Sequence, residues 1–284
     1  MPVDPAHYPS KRPIIIITII IIITIIAITI IIIIIIIMSL GALGLKFVHS
    51  ARLLGVGVAA GVGRAPQVTA KRIDGAFRRR WRCKSLLKAS GWTGRVVICE
   101  LNRSMTWDSG IKGVCDSELQ RMRRAAAEAL YTAKGGSLDL KLAMGGDKPG
   151  IAMPDPAYEA HSKPLRLWAT AVRAALHHEP GAFSSATLSK ELFTQETQLR
   201  HALHPWARAH GPAAGVVCTL WRLRWTVLSA SRFLTDLKEP IDLEEVSVPF
   251  LVRVVNDSVG RWITRRIAEQ TSRPDLAQGI WWQP

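Results

Sequence analysis

A short basic stretch of the chain concentrates side chains that bind phosphate. Residues 71 to 88 include eight cations and a single carboxylate, Asp74. The cations are Lys71, Arg72, Arg78, Arg79, Arg80, Arg82, Lys84 and Lys88. Ammonium and guanidinium groups at this density form an electrostatic footprint for a phosphate backbone, and an aromatic ring among them is suited to stack on a base. The pattern therefore predicts phosphate contacts from these eight cations and base stacking by Trp81.

Two other interpretations of the same stretch remain open. A polybasic segment adheres to anionic lipid, with each cation near the surface contributing about 1 kcal/mol. The stretch would also be an ordinary solvated helix face if Phe77 and Trp81 pointed into a core. Nucleic acid (RNA or DNA), anionic lipid and solvent are thus the three candidates for what the cations face.

Residue patterns typical of catalysis are missing from the sequence. There is no Asp-Asp pair to hold two metal ions for phosphoryl transfer. The glycine-rich residues 145–150 lack the Gly-Lys-Ser/Thr ending of a phosphate loop, and no Gly-x-Ser-x-Gly elbow occurs. His201 and His204 are three residues apart, but no cysteine accompanies them. We expect no catalytic residue, metal ligand, cofactor or small-molecule substrate, and hence no enzyme.

The elements that position the basic stretch are predicted to be mostly helical. Residues 65–90 read as a helix, and Ser117-Glu118-Leu119-Gln120 is a capping box that opens another helix. Pro164 is expected to bend or split a later helix. Further helices are predicted at 155–178, 187–209, 216–223 and 248–268, and short strands at 225–228, 231–234 and 241–243. The expected fold class is mostly α with a small β element.

The N-terminal region contains a nearly uniform apolar run. Ile14 to Ile37 comprises twenty isoleucines, interrupted only by Thr18, Thr24, Thr29 and Ala27. As a helix it would be roughly 36 Å long, which exceeds the hydrocarbon core of about 30 Å. We therefore predict a transmembrane helix over residues 14–38. The alternative is that a repeat-like tract of this kind has no evolved role or results from a mistaken gene model.

The distribution of charge along the chain predicts the location of the protein in the cell. The chain carries 37 Lys plus Arg against 22 Asp plus Glu, a net charge of +15. Between Lys46 and Arg124 there are 17 basic and 5 acidic residues, a net charge of +12. Because the cations lie on the C-terminal side of the apolar run, a membrane protein with a cytosolic body is expected. If the isoleucine tract is an artefact, a nuclear location is expected instead.

Several short motifs resemble those of one family. The stretch from Phe47 to Val58, with its Leu-Gly-Val core, resembles the strand that follows the catalytic palm in non-LTR retroelement reverse transcriptases. The segment from Trp107 to Ala127 is similar to a stretch of reverse-transcriptase-like open reading frames of dinoflagellate algae. Later markers of the same frames are Asp155-Pro-Ala157, Gly211-Pro-Ala213 and Trp225 to Asp236.

The resemblance implies a fragment without polymerase activity. Residues 71–88 stand where those proteins place their thumb, and the catalytic palm would precede residue 47. The expected divisions are a leader (1–13), the transmembrane helix (14–38), a Gly-rich linker (39–64), a basic thumb-like subdomain (65–142) and a helical C-terminal subdomain with a β-hairpin (155–282). We thus expect a membrane-anchored, non-catalytic retroelement fragment with weak, sequence-independent nucleic-acid binding. The alternative is a single-pass membrane protein whose basic body binds anionic lipid.

Overall fold

Helices dominate the described part of the protein, for which we use a computed structural model. The structure describes residues 50–53, 56–59, 64, 66–90, 97–130, 138–145, 155–179 and 181–271. The chain divides into two units, Met1–His49 and Ser50–Pro284, and all described residues belong to the second. The α-helices are α1 (Gln67–Ser90), α2 (Arg103–Met105), α3 (Ser109–Lys112), α4 (Asp116–Leu130), α5 (Leu138–Gly145), α6 (Pro156–Leu176), α7 (Ser185–Arg200), α8 (Pro205–Arg208), α9 (Pro212–Leu223) and α10 (Val248–Thr271). A π-helical stretch, Val97–Asn102, leads into α2.

Two small antiparallel sheets accompany the helices. Strands β1 (Ser50–Leu53) and β2 (Val56–Ala59) form a hairpin. Strands β3 (Thr226–Val227), β4 (Arg232–Leu234) and β5 (Pro240–Asp242) form a three-stranded sheet in that order. The predicted mostly helical architecture with a small β element is therefore what the structure shows.

The helix α4 begins at Asp116, so that its cap lies two residues before the predicted cap, Ser117. The backbone N–H of Cys115 donates to Glu118 Oε2 (3.3 Å), so that Cys115 rather than Ser117 occupies the cap position. Glu118 then stands at the third helical position, where a carboxylate satisfies a free backbone N–H. Leu119 and Met122, on the inner face of this helix, are buried.

The helix α6 supplies one wall of the core. Asp155 caps its first turn by accepting from the backbone N–H of Ala157 (2.8 Å), and Pro156 occupies the first helical position, where its missing N–H costs nothing. Of the two predicted effects of Pro164, bending or splitting, splitting does not occur, because the helix continues through Pro164 to Leu176. Proline is accommodated here within a helix whose inner side, including Pro164 itself, is buried against its neighbours.

The helix α9 forms the centre of the described body. All eight residues from Ala213 to Leu220 are buried, and α9 contacts α3, α6 and α7. Its close approach to α3 depends on Gly215, because a Cβ there would lie 2.7 Å from Gly113 N. The predicted helix over 187–209 is two helices in the structure: α7 ends at Arg200, and α8 begins at Pro205, where the missing N–H of proline costs nothing.

The prediction of a membrane-spanning helix is wrong for the fold that the structure describes. Among the described residues, no helix is both long enough and apolar enough to cross a bilayer. Length is not lacking, since α1 and α10 each have 24 residues, but charged side chains occur along both. The fold class with a membrane anchor and the membrane location are corrected accordingly. The predicted span, residues 14–38 including Ile14 and Ile37, lies outside the described residues.

Several other predicted segments of the chain also lie largely outside the residues that the structure describes. The leader (1–13), most of the linker (39–64) and most of the boundary between the two predicted subdomains (143–154) are among the residues that are not described. These divisions stay predictions.

Candidate nucleic-acid interface

The basic helix α1 has one buried side that attaches it to the body. Thr69, Ile73, Ala76 and Cys83 are buried, and they recur at the spacing of a single helix face. This side packs mainly on α4 and on the segment of residues 97–105. The remaining circumference of α1 carries the cations predicted to bind phosphate.

Three of the eight predicted phosphate ligands are engaged by carboxylates of the protein itself. A cation held in an ion pair has less positive potential to offer an external phosphate, because the carboxylate neutralises it at close range. These three side chains are partly buried and link α1 to neighbouring elements. The pairs are Arg72–Asp108 (3.4 Å), Arg79–Glu100 (2.8 Å) and Arg80–Glu128 (2.9 Å).

Four other predicted ligands face solvent. Lys71, Arg78, Arg82 and Lys88 are exposed, and none of them forms an ion pair with another residue in the described ranges. Seven and eleven residues separate Lys71 from Arg78 and Arg82, so these three side chains lie in one row along the helix. We call Lys71, Arg78 and Arg82 the outer row.

Trp81 is exposed but already contacts cations of its own helix. Its exposed fraction is 60 %. The Lys84 ammonium lies 4.9 Å from the centroid of its ring, and the Arg80 guanidinium lies 5.2 Å from it. Cation–π contacts of this kind occupy the ring surface on which a base would stack. Base stacking by Trp81 stays a prediction that must compete with these contacts.

A buried carboxylate that the sequence reasoning missed anchors the helix. Asp108 has a 2 % exposed side chain and accepts from the Thr69 hydroxyl (2.7 Å). It also pairs with Lys112 (2.9 Å) and with Arg72. A buried carboxylate is tolerated when it is paired and hydrogen-bonded. Asp108 therefore holds the first turns of α1 against the turn that precedes α3.

A concave surface lies beside this anchor and was also missed. Trp107, the residue before Asp108, is 63 % exposed and borders a cavity with Arg103 on one side and residues of α6 on the other. Trp107 lay inside a motif singled out only for its resemblance. The aromatic-acid pair Trp107-Asp108 was the available signal, but nothing local in the sequence shows that one side chain is exposed and the other buried.

Two of the described thiols, Cys83 and Cys218, are held in their protonated form. Burial raises the pKa of Cys83, and the nearby Glu100 carboxylate raises it further, whereas Arg79 opposes the shift. Burial likewise raises the pKa of Cys218 to about 12, against the smaller effect of Arg222. Since the thiolate is the reactive species, neither side chain is poised as a nucleophile.

No group of three or more His, Cys, Asp or Glu side chains is placed to hold a metal ion in the part of the chain that the structure describes.

Comparison with known proteins finds no match among family models, curated proteins or solved structures. The resemblance to retroelement frames therefore remains a hypothesis drawn from short motifs.

Proposed function

We propose that this chain is a non-catalytic, retroelement-derived protein that binds single-stranded nucleic acid weakly and without sequence preference. The outer row of α1 carries the proposal, because its three cations are exposed and aligned while other cations of the helix are engaged internally. Contacts to phosphate alone hold a strand without reading its bases. Retroelement origin is proposed from the motif resemblance and non-catalytic character from the missing Asp-Asp pair.

The rigidity of α1 strengthens this assignment. Asp108, Glu100 and Glu128 tie the helix to three neighbouring segments, so that the outer row is presented on a fixed support. Fixed cations lose less conformational freedom on binding than those of a disordered basic tail. The spacing along the row spans about three helical turns, or roughly 16 Å, enough to follow several phosphates.

Binding of the full-length chain to a fluorescently labelled single-stranded RNA tests the proposal. We expect a steep loss of affinity with rising salt, because each phosphate contact releases bound counterions. Replacing the outer row with glutamine (K71Q/R78Q/R82Q) should weaken binding roughly tenfold or more and reduce the salt slope by about 2. A matched variant, K190Q/R208Q/R253Q, removes three exposed cations from other elements and should keep the wild-type slope.

Two outcomes would overturn the assignment of nucleic-acid binding to the outer row. One is equal affinity and slope for the two triple variants, which would mean that net charge rather than the outer row governs binding. The other is binding to phosphatidylserine vesicles without binding to RNA, which would assign the outer row to anionic lipid. Nucleotide incorporation by the pure chain would contradict its non-catalytic character.

A further inference from the structure

A cavity of about 510 Å³ opens between the turn that bears Trp107 and the helix α6. Its volume is within the range of small-molecule sites. Four of its lining residues recur at three- and four-residue spacing along α6 and so lie on one side of that helix. The lining residues are Arg103, Trp107, Glu159, Ser162, Lys163 and Arg166. We call this cavity the Trp107 pocket.

The charges of the Trp107 pocket favour an anion. It contains three cations and one carboxylate. Arg103 and Arg166 are exposed, and neither forms an ion pair with any residue of the described ranges. Guanidinium groups bind phosphate through paired N–H donors. Two arginines with open donors therefore stand at the rim of a pocket that holds an aromatic ring.

A hydrogen-bonded floor keeps the third cation in place. Lys163 Nζ lies 2.8 Å from Glu159 Oε2 and 2.6 Å from Thr106 Oγ1. The Thr106 hydroxyl also lies 2.7 Å from Glu159 Oε2. These contacts join the turn to α6. They use Oε2 of Glu159, while Oε1 has no hydrogen-bond partner within the described part of the chain.

Trp107 presents an exposed aromatic ring to the pocket. It is 63 % exposed, and the buried Asp108 beside it fixes the backbone from which it projects. Unlike Trp81, it has no cation–π contact with a neighbour in the described residues. A large aromatic ring that remains exposed on a rigid turn, flanked by guanidinium groups, matches the needs of an unstacked base next to its phosphate.

We infer that the Trp107 pocket binds one nucleotide of a single strand, with the base on Trp107 and the phosphate between Arg103 and Arg166. This inference rests on the proposed function, to which it adds a base-binding subsite. Stacking tolerates any base, so the pocket adds affinity for single strands without adding a sequence preference.

The test uses cytidine monophosphate with the full-length chain, observed by saturation-transfer NMR of the base protons. We expect transfer to the wild-type chain and a roughly five-fold or greater loss of affinity in Trp107→Leu, because stacking on an aromatic side chain is the main contact to the base. Phe183→Leu is the matched control, since Phe183 is an aromatic side chain exposed to a similar degree, 66 % against 63 %. This control should bind cytidine monophosphate like the wild type.

A second variant and a second ligand keep the inference falsifiable. Arg166→Gln should weaken binding even if Trp107→Leu does not fold. Ribose 5-phosphate, which has the phosphate but no base, should displace cytidine monophosphate poorly. Equal displacement by the two ligands, or a loss of binding in Phe183→Leu but not in Trp107→Leu, would overturn the assignment.

Failure of the subsite is distinguishable from failure of the proposed function. RNA binding that depends on the outer row, together with no cytidine monophosphate binding, would remove the subsite and leave the function. Nucleotide binding at Trp107 without RNA binding would remove the proposed function and leave the pocket as a site for a free nucleotide.

Discussion

Arg123 and Arg78 both lie on long helices, yet one is in the interior and the other faces solvent. Arg123 is 2 % exposed and donates to Asp155 (2.6–3.0 Å) and Asp139 (2.5 Å). Burial alone would lower the pKa of the Arg123 guanidinium, but the two carboxylates outweigh it and raise that pKa. Arg78 is exposed and has no ion-pair partner among the described residues.

The contrast separates two uses of the same side chain. In the interior, a guanidinium fixes α4 to α5 and to the cap of α6, since Asp139 and Asp155 belong to those elements. Along the outer row, guanidinium groups contribute little to the fold and keep their charge for a partner. The net charge of the protein thus says less about its function than the division of arginines between these regions does.

Breaking the interior cluster of Arg123, Asp139 and Asp155 should have the largest effect on stability. Arg123→Met leaves Asp139 and Asp155 buried without their main partner, which we expect to lower the free energy of unfolding by about 3–5 kcal/mol. Urea denaturation followed by circular dichroism measures the change. Arg124→Met, at the exposed next position of α4, is the control and should shift the value by less than about 0.5 kcal/mol. Similar losses for the two variants would refute the structural role of Arg123.

Replacing a glycine with alanine should lower the stability of the protein in the interior and raise it on α1. A Cβ at Gly215 would lie 2.7 Å from Gly113 N and 2.8 Å from Lys112 C, so Gly215→Ala should destabilise the protein by about 1–3 kcal/mol. Gly75 on α1 has nothing within 4 Å of the added Cβ, so Gly75→Ala should stabilise the helix by about 0.5–1 kcal/mol. Thermal unfolding distinguishes the two, and a Gly215→Ala variant at least as stable as Gly75→Ala would contradict the close packing of α9.

The buried imidazole of His161, close to the interior charges, should make the free energy of unfolding depend on pH. Burial lowers the pKa of His161 to about 3, and the positive charges of Arg222 and Arg123 contribute to the shift. His161 Nδ1 lies 2.6 Å from the carbonyl oxygen of Ala157, and its ring lies against Trp262. The folded state therefore holds a neutral imidazole over most of the pH range.

The sign of the effect follows from proton uptake in the unfolded state. An unfolded histidine has a pKa of about 6.5, so between about pH 6.5 and pH 3 only the unfolded chain binds this proton. The free energy of unfolding should fall by up to about 1.4 kcal/mol per pH unit as the pH decreases through this window. His161→Phe should flatten the slope, whereas substitution of the exposed His204 by glutamine should not. Identical slopes for the wild type and His161→Phe would exclude His161 as the cause.

The smallest effect on stability is expected for the outer row. Because Arg78 and Arg82 are exposed and have no carboxylate partner in the described ranges, Arg78→Gln and Arg82→Gln should change the free energy of unfolding by no more than about 0.5 kcal/mol. Chemical denaturation of both variants checks this. A loss of several kcal/mol would mean that these side chains support the fold, and the comparison with Arg123 would fail.

Much of the helix pattern could be predicted, because it depends on local spacing. The period of apolar residues placed α1, α4 and α10 within a few residues of their observed bounds. The stretch around Val97–Asn102 and the turn at Asp108 were not predicted, since their geometry is set by contacts with α1 and α6 rather than by their own periodicity.

By itself, the sequence determined where positive charge accumulates, since the eight cations of α1 lie within residues 71–88. Only the tertiary structure decided which of them remain available. Asp108, Glu100 and Glu128 are distant from α1 in sequence, and folding brings them beside Arg72, Arg79 and Arg80. The same holds for the Trp107 pocket, whose walls are separated by about fifty residues of chain. Both the ion pairs that neutralise cations of α1 and the walls of the pocket need side chains that are distant in sequence to come together. No local sequence pattern encodes that approach.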